Sequence, residues 1–206
     1  MAASNSKIGD LREACVREAL EIIAKGGIDS LSLRDVARRL GVSHQAPYKH
    51  FPSRDHILAE VVGRAYASFA AHIEKRPRSE DPYEDLGNLG RSYMEYARKH
   101  PLHYQLMFGT PLPDPKEHPE MLNKAEHALN CLREAIAKLP GRAPGADAGL
   151  DALYVWSTVH GLAGILQKRS THQLGIGKAT IADVTGHTLS RIGAALGRPD
   201  PKKPGA

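Results

Sequence analysis

The feature that most constrains the fold of this chain is a series of helix signals between residues 28 and 58. Ser32 can cap a helix that begins at Leu33, and Asp35 lies where a capping box places its carboxylate. Apolar residues then recur at positions i, i+3, i+4 and i+7, namely Leu33, Val36, Ala37 and Leu40. This spacing predicts an amphipathic helix.

A second short helix is predicted directly after the first one. Gly41 stands where many helices end in a left-handed residue, and Ser43 can cap a helix over 44–51. Pro52 prevents that helix from continuing. Two helices joined by a short turn that contains glycine form a helix-turn-helix, whose second helix enters the major groove of DNA.

The charge of this stretch agrees with a nucleic-acid partner. The Lys and Arg residues between positions 34 and 54 are Arg34, Arg38, Arg39, Lys49 and Arg54, and Asp35 is the one acidic residue there. A compact basic patch is what contact with phosphates requires. The formal net charge of the whole chain is only +5, so the basicity is local. Arg38 and Arg39 are also open to a simpler interpretation as the solvated face of their helix.

The rest of the chain is predicted to be helical, which makes the fold class all-α with about nine helices. A three-helix head occupies residues 1–53, and a connecting helix follows over 54–74. Residues 75–81 form a polar linker, residues 81–197 a second helical domain, and residues 198–206, with three prolines, a disordered tail. No strand and no internal repeat is predicted.

Several features predict a cytoplasmic protein without membrane contact. The first ten residues lack the apolar core of a signal peptide. The longest uncharged run, 152–167, has 16 residues, whereas a spanning helix needs about 20 apolar ones. Cys15 and Cys131 are far apart and form no Cys-x-x-Cys motif, so reduced thiols are the simplest interpretation, and a disulfide between them is the alternative.

The motifs of common enzymes and metal proteins are absent from the sequence. No Gly-x-Ser-x-Gly, phosphate loop or Gly-x-Gly-x-x-Gly occurs, so we do not expect an enzyme. The eleven histidines and two cysteines show no structural zinc spacing and no Glu-x-x-His motif. No metal and no cofactor is therefore predicted.

The stretch from residue 28 to residue 58 resembles the DNA-binding head of TetR-family transcriptional repressors. Residues 31–43 (LSLRDVARRLGVS) and 48–55 (YKHFPSRD) carry the resemblance. Trp156, His160 and Gly161 also resemble the signature of the subgroup with a C-terminal Trp-His-Gly (WHG) domain. The resemblance implies a homodimer that pairs through its last two long helices and binds a pseudo-palindromic operator in double-stranded DNA. It also implies release when a small molecule enters the second domain.

The resemblance also implies a set of DNA contacts. Tyr48 and His50 would hold phosphates, with Lys49 and Arg54 beside them. Arg34 would reach a phosphate or an adjacent base. The full DNA-contact set is Arg34, Ser43, His44, Gln45, Ala46, Tyr48, Lys49, His50 and Arg54.

Three residues of the DNA-contact set would face base edges from the start of the second helix. They are His44, Gln45 and Ala46. Gln45 suits adenine, and a protonated His44 suits guanine or phosphate. The alternative for Tyr48 and His50 is a stacked aromatic ring and a surface imidazole. Pro47 departs from the family pattern, because it replaces an apolar residue that can donate an amide hydrogen bond. The second helix is therefore expected to begin irregularly.

A further set of side chains could line an effector pocket with aromatic walls and a few polar groups. This aromatic set is Tyr93, Tyr96, Tyr104, Met107, Phe108, Met121, Trp156 and His160. An ordinary helical core is the alternative. The predicted function is a transcriptional repressor that a small organic effector releases from a palindromic operator. The alternative is a constitutive or metal-responsive DNA-binding regulator without an organic ligand.

Overall fold

The structure, a computed structural model, describes residues 2–109, 111–140, 142, 145–167 and 180–198, with side chains from residue 11 onward. These residues form eight α-helices and no strand, which confirms the all-α prediction. The helices are α1 (Ala2–Gly26), α2 (Leu33–Leu40), α3 (Arg54–Glu74), α4 (Pro82–Lys99), α5 (Pro101–Phe108), α6 (Pro119–Ala137), α7 (Ala148–Leu166) and α8 (Ile181–Ala195). Two short 3₁₀ helices, Ile28–Ser30 and Pro47–Lys49, complete the described secondary structure.

The chain divides into two compact units that do not follow the predicted boundary at 75–81. Unit 1 comprises residues 1–68 and 102–125, and unit 2 comprises residues 69–101 and 126–206. Helix α5 thus groups with the head although it follows the predicted linker. One contact within unit 1 shows why, since the Tyr66 hydroxyl donates to the Met107 carbonyl at 2.9 Å.

Unit 1 contains two of the three helices predicted for the head, α1 and α2, and the third is replaced by a turn and a 3₁₀ helix. The buried apolar residues of the head come from α1, α2, the segment after α2 and the first half of α3; examples are Cys15, Ala19, Val36, Ala37, Phe51, Ile57 and Val62. Helix α1 begins at Ala2, well before the predicted start at residue 10. Helix α1 contacts α2 and the two 3₁₀ helices and gives them a surface on which to bury apolar side chains, since short helices alone bury too little.

The ends of α2 follow local rules. Ser32 accepts a hydrogen bond from the Arg34 amide at 3.2 Å, as predicted for its cap. Gly41 adopts the left-handed conformation with φ 65°, where a side chain would be strained. The predicted capping bond of Asp35 is wrong, because its carboxylate instead accepts from the Arg38 guanidinium at 2.9 Å.

The second helix of the helix-turn-helix is not an α-helix in this structure, which corrects the prediction and accounts for one of the nine helices. A turn over 44–46 leads into the 3₁₀ helix Pro47–Lys49, and Ser43 provides no side-chain cap to it. Because Pro47 has no N–H, the Ser43 carbonyl accepts from the Ala46 amide at 2.9 Å instead. The departure from the family pattern at Pro47 thus has the expected irregular result.

Unit 2 is built around α4, α7 and α8, which pack against one another. Asp81 caps α4 with Pro82 at its first position, as predicted, and Thr180 and Asp183 form a capping box at the start of α8. Helices α4 and α8 approach closely at Gly90, where an added Cβ would lie 2.3 Å from Cδ2 of Leu189.

The predicted disordered tail, 198–206, lies outside the described residues apart from Arg198. The guanidinium of Arg198 pairs with the Asp81 carboxylate at 3.2 Å. Within the described part of the chain, no helix combines the length and the apolarity that crossing a membrane requires.

Candidate nucleic-acid interface

Four members of the DNA-contact set line one surface groove of unit 1. Arg34, His44, Gln45 and Tyr48 surround a space of about 470 Å³. All four side chains are exposed, and Tyr48 presents 40 % of its surface to solvent. Arg34 comes from the first turn of α2 and the other three from the segment after Gly41, so the turn brings the two parts of the helix-turn-helix to one place.

The turn over 44–46 and the 3₁₀ helix Pro47–Lys49 fix the orientation of these side chains. Pro47 is buried beneath the segment, with less than 2 % of its surface exposed. Its neighbours Tyr48 and Lys49 are exposed, as is Ser43, whereas Ala46 is half-buried. The ring of Pro47 therefore anchors the segment in the core while the polar side chains on either side face solvent.

The cations near the groove are either paired with a carboxylate or have none nearby in the part of the chain that the structure describes. Arg38 pairs with Asp35 at 2.9 Å, and Arg39 lies 3.9 Å from Glu18. For Arg34 and Lys49, no carboxylate of the described residues lies within 4.0 Å. Arg34 and Lys49 are thus the cations of the original patch that remain available to phosphates.

Arg54 and His50 occupy other surroundings. The Arg54 guanidinium donates to the carbonyls of Ile28 and Leu31 at 2.7 and 3.2 Å, which ties the start of α3 to the turn before α2. His50 lines a second space of about 300 Å³, together with Arg12, His56 and His118. Neither residue lines the groove of Arg34 and Tyr48.

An ion cluster joins α1 to α3 within unit 1. Glu60 accepts from Arg12 at 2.8 Å and from Arg64 at 2.7 Å, and Arg64 also bonds Glu13 at 2.6 Å. Burial alone would raise the pKa of Glu60, but the hydrogen bonds from the two arginines outweigh it and lower that pKa. The pKa of Glu13 is lowered as well, chiefly by the Arg64 hydrogen bond. Sequence reasoning missed this cluster because the pairs that join α1 to α3, Arg12 with Glu60 and Glu13 with Arg64, are 48 and 51 residues apart.

Comparison with known proteins covers both halves of the chain. Residues 16–61 match the model of the bacterial regulatory proteins of the tetR family, and residues 86–185 match the tetracyclin repressor-like C-terminal domain. This chain belongs to the TetR family. Members of the matched families are DNA-binding transcriptional regulators, not enzymes. The resemblance to the WHG subgroup stays a prediction.

Individual relatives of this TetR-family regulator match over part of their length. The HTH-type transcriptional regulator Rv1816 of Mycobacterium tuberculosis is 29% identical over 118 residues, which are 52% of this chain and 50% of the relative. The tetracycline repressor protein class C of Escherichia coli is 35% identical over 75 residues, 36% of this chain and 33% of the relative. The chain thus spans about half or less of these curated relatives.

A solved structure shows the same fold over nearly the whole chain. A protein with unknown function from Rhodococcus sp. RHA1 superposes with a TM-score of 0.74, at 23% identity, over 91% of this chain and 95% of that one. The two chains therefore share one fold over this length.

The aromatic set predicted to line an effector pocket divides between the two units. In unit 2, the Tyr93 hydroxyl lies 3.0 Å from Nδ1 of His160, and Trp156 contacts the His160 ring edge to face. Burial lowers the pKa of His160, so its neutral form is favoured beside the Tyr93 hydroxyl. Tyr96, also in unit 2, is fully buried and contacts Phe69.

The remaining members of the aromatic set belong to unit 1. Tyr104, Met107 and Met121 are buried, and the rings of Tyr104 and Phe108 meet edge to face. This arrangement resembles core packing, which was the alternative interpretation of the set.

Unit 2 also contains a cavity that the sequence did not indicate. It has a volume of about 260 Å³ and lies where α4, α7 and α8 meet. Its polar lining includes Tyr83, Glu84, Arg91 and Ser190, and none of the aromatic set lines it. Pockets for drug-sized ligands span about 300–1,000 Å³, so this cavity suits a smaller molecule.

One group of side chains has the composition of a metal site, although no metal was predicted. Glu74, His127 and Cys131 place one potential ligand atom each within 4.8 Å of one another. The separation of His127 and Cys131 by one helical turn on α6 is a signal that the sequence does contain.

Proposed function

We propose that this TetR-family regulator represses transcription by binding a pseudo-palindromic operator as a homodimer, and that a small organic molecule bound in unit 2 releases it. The observation that carries the proposal is the groove in which Arg34, His44, Gln45 and Tyr48 meet. It combines one cation, two side chains that can hydrogen-bond base edges, and a phenol that can donate to phosphate. An intracellular site of action, the cytoplasm, follows from the DNA target.

Individual roles within the groove follow from the side-chain chemistry. Gln45 and His44 are exposed and stand ahead of the buried Pro47, where they can approach base edges. Arg34, Tyr48 and Lys49 supply phosphate contacts, which set register without reading sequence. For Arg54, which bonds two backbone carbonyls, we propose a positioning role in addition to the phosphate contact suggested by resemblance.

The exposed apolar surface of α7 supports a homodimer through the last two helices. Helix α7 exposes Leu150, Leu153, Tyr154 and Ile165, and α8 exposes Ile181. A Cβ added at Gly161 on α7 would meet no atom within 4 Å, so a partner helix could approach closely there. Several large apolar side chains exposed on one helix are typical of an interaction site.

Two places in unit 2 are candidates for the effector. The cavity between α4, α7 and α8 offers Arg91 and Arg198 to a small anionic or polar molecule. The cluster of Tyr93, Trp156 and His160 offers aromatic surface and two hydrogen-bonding groups. One observation supports the alternative of a metal-responsive regulator without an organic ligand, namely the grouping of Glu74, His127 and Cys131.

Selection of bound fragments from genomic DNA tests the operator proposal. We expect enriched fragments to share a motif with two-fold symmetry. In the Gln45→Ala variant, one base position in each half-site should lose its preference, by about 1–3 kcal/mol. Arg38→Ala, whose guanidinium pairs with Asp35, serves as the control and should leave the motif unchanged. Fragments without a shared motif would contradict sequence-specific repression.

A further inference from the structure

Three potential metal ligands, none of them a member of the DNA-contact set, meet at the end of α3. Glu74 is the last residue of α3, and His127 and Cys131 lie one turn apart on α6. Nε2 of His127 is 2.7 Å from Oε1 of Glu74, and Sγ of Cys131 is 3.9 Å from the same oxygen. All three belong to unit 2.

We propose that Glu74, His127 and Cys131 bind one Zn²⁺ ion, with water as the fourth ligand. Imidazole nitrogen, thiolate sulfur and carboxylate oxygen are the three ligand types that Zn²⁺ takes in proteins, almost always with tetrahedral geometry. An arrangement with three protein ligands leaves one position open to solvent. The proposal concerns ion binding and does not depend on operator binding, so the two can fail separately.

The backbone already holds the ligands close to the required geometry. Residues at i and i+4 of a helix lie on the same face, and two zinc ligands at this spacing are a recurrent arrangement. Tetrahedral bonds of about 2.0–2.3 Å separate two ligand atoms by about 3.3–3.7 Å. The Sγ–Oε1 separation of 3.9 Å is near this range, and the Nε2–Oε1 separation of 2.7 Å must widen. The side chains of Glu74 and His127 are 44% and 60% exposed, so rotation about their own bonds suffices.

Binding requires the Cys131 thiol to lose its proton and Nε2 of His127 to give up the hydrogen that it donates to Glu74, so that the neutral imidazole carries its hydrogen on Nδ1. Zn²⁺ takes the Cys131 thiolate, so the thiol proton is released to solvent when the Zn–S bond forms. Burial raises the pKa of the Cys131 thiol, and the negative charges of Glu74 and Glu134 raise it further, while Arg76 opposes them.

A titration of the reduced, metal-free full-length protein with Co²⁺ tests the site directly. Cobalt bound by a thiolate shows a charge-transfer absorption band, and tetrahedral coordination gives strong visible bands. We expect saturation at one Co²⁺ per chain and loss of both signals when Zn²⁺ displaces it. Cys131→Ser should abolish the charge-transfer band, and His127→Gln and Glu74→Gln should each weaken binding at least about 10-fold.

The chain offers matched controls for both ligand types. Cys15→Ala alters the other cysteine, which is buried in unit 1, and His187→Gln alters an exposed histidine on α8. Both should bind Co²⁺ like the wild type. A charge-transfer band that persists in Cys131→Ser, or an affinity unchanged in both His127→Gln and Glu74→Gln, would overturn the proposal and leave an ordinary surface ion pair beside a thiol. Far-ultraviolet circular dichroism of each variant verifies that it is folded.

Discussion

Arg54 and Arg38 have the same side chain but different partners, and this difference leads to a prediction about stability. Arg54 bonds the carbonyls of Ile28 and Leu31, whereas Arg38 pairs with Asp35 at the surface. Arg54→Ala should lower the free energy of unfolding by about 1–3 kcal/mol, because two charge-assisted hydrogen bonds are lost. Arg38→Ala should change it by less than about 0.5 kcal/mol. Denaturant unfolding monitored by circular dichroism measures both.

Equal stability of the two variants would contradict the positioning role of Arg54. In that case a weakening of DNA binding by Arg54→Ala would have to come from direct phosphate contact. If the positioning role holds, part of that weakening comes from a loosened helix-turn-helix.

Helices α4 and α8 approach closely at Gly90, where an added methyl group would have to displace the side chain of Leu189. Gly90→Ala places its Cβ 2.3 Å from Cδ2 of Leu189, whereas Gly87→Ala meets only the flexible Arg91 side chain at 3.5 Å. Both substitutions raise the helix propensity by the same amount, so the difference in stability between the two variants isolates the effect of packing. We expect Gly90→Ala to be less stable than Gly87→Ala by about 1–3 kcal/mol in thermal or denaturant unfolding. A more stable Gly90→Ala protein would show that α4 and α8 do not pack this closely.

The ion cluster between α1 and α3 predicts a dependence of stability on pH. The folded-state pKa values of Glu60 and Glu13 are lowered, so their stabilisation is present above the ordinary Glu value and is lost as the pH falls through the folded values. We expect the melting temperature to fall as the pH is lowered below about 4. The Glu60→Gln variant should have a lower melting temperature than the wild type at pH 7, and its melting temperature should decline less steeply as the pH is lowered. An equally steep decline in Glu60→Gln would assign the acid sensitivity to other groups.

Elements whose ends depend on neighbouring residues were predictable from the sequence. Ser32 and Asp81 cap their helices as expected, because a cap involves only the adjacent turn. The segment after Gly41 was only partly predictable. Its exposed polar residues and its irregular start at Pro47 were expected, but the change from an α-helix to a turn and a 3₁₀ helix was not.

Features that depend on residues far apart in sequence could not be predicted from local patterns. The pairing of Tyr66 with Met107 groups α5 with the head, and no local pattern indicates it. The same holds for the cavity between α4, α7 and α8, since its lining is set by helix packing. The candidate DNA groove was easier to predict from the sequence, because its residues lie within 15 positions of one another in a motif with known docking geometry.

At the scale of the whole molecule, the exposed apolar surface of α7 predicts a dimer. Replacing Leu153 and Ile165 by Glu places two carboxylates on this surface, where burial against a partner would be costly. We expect the dissociation constant of the dimer to rise at least about 10-fold, which corresponds to about 1.4 kcal/mol. Light scattering at micromolar concentration measures the shift from dimer to monomer.

Leu122→Glu is the control for that experiment. Leu122 is a similarly exposed apolar residue, but it lies on α6. Its replacement should leave the molecular mass in solution unchanged. A wild-type protein that is monomeric at micromolar concentration would contradict the proposed pairing of α7 and α8.

The central claim is that the groove of Arg34, His44, Gln45 and Tyr48 contacts DNA, and the salt dependence of operator binding tests it most directly. Fluorescence anisotropy over a series of salt concentrations compares the wild type with Tyr48→Ala/Lys49→Ala and with the control Lys25→Ala, an exposed lysine at the end of α1. We predict that the double variant binds all duplexes more weakly and that its salt slope is smaller by about 1, while the control behaves like the wild type. Wild-type affinity and slope in the double variant at matched salt would contradict the claim.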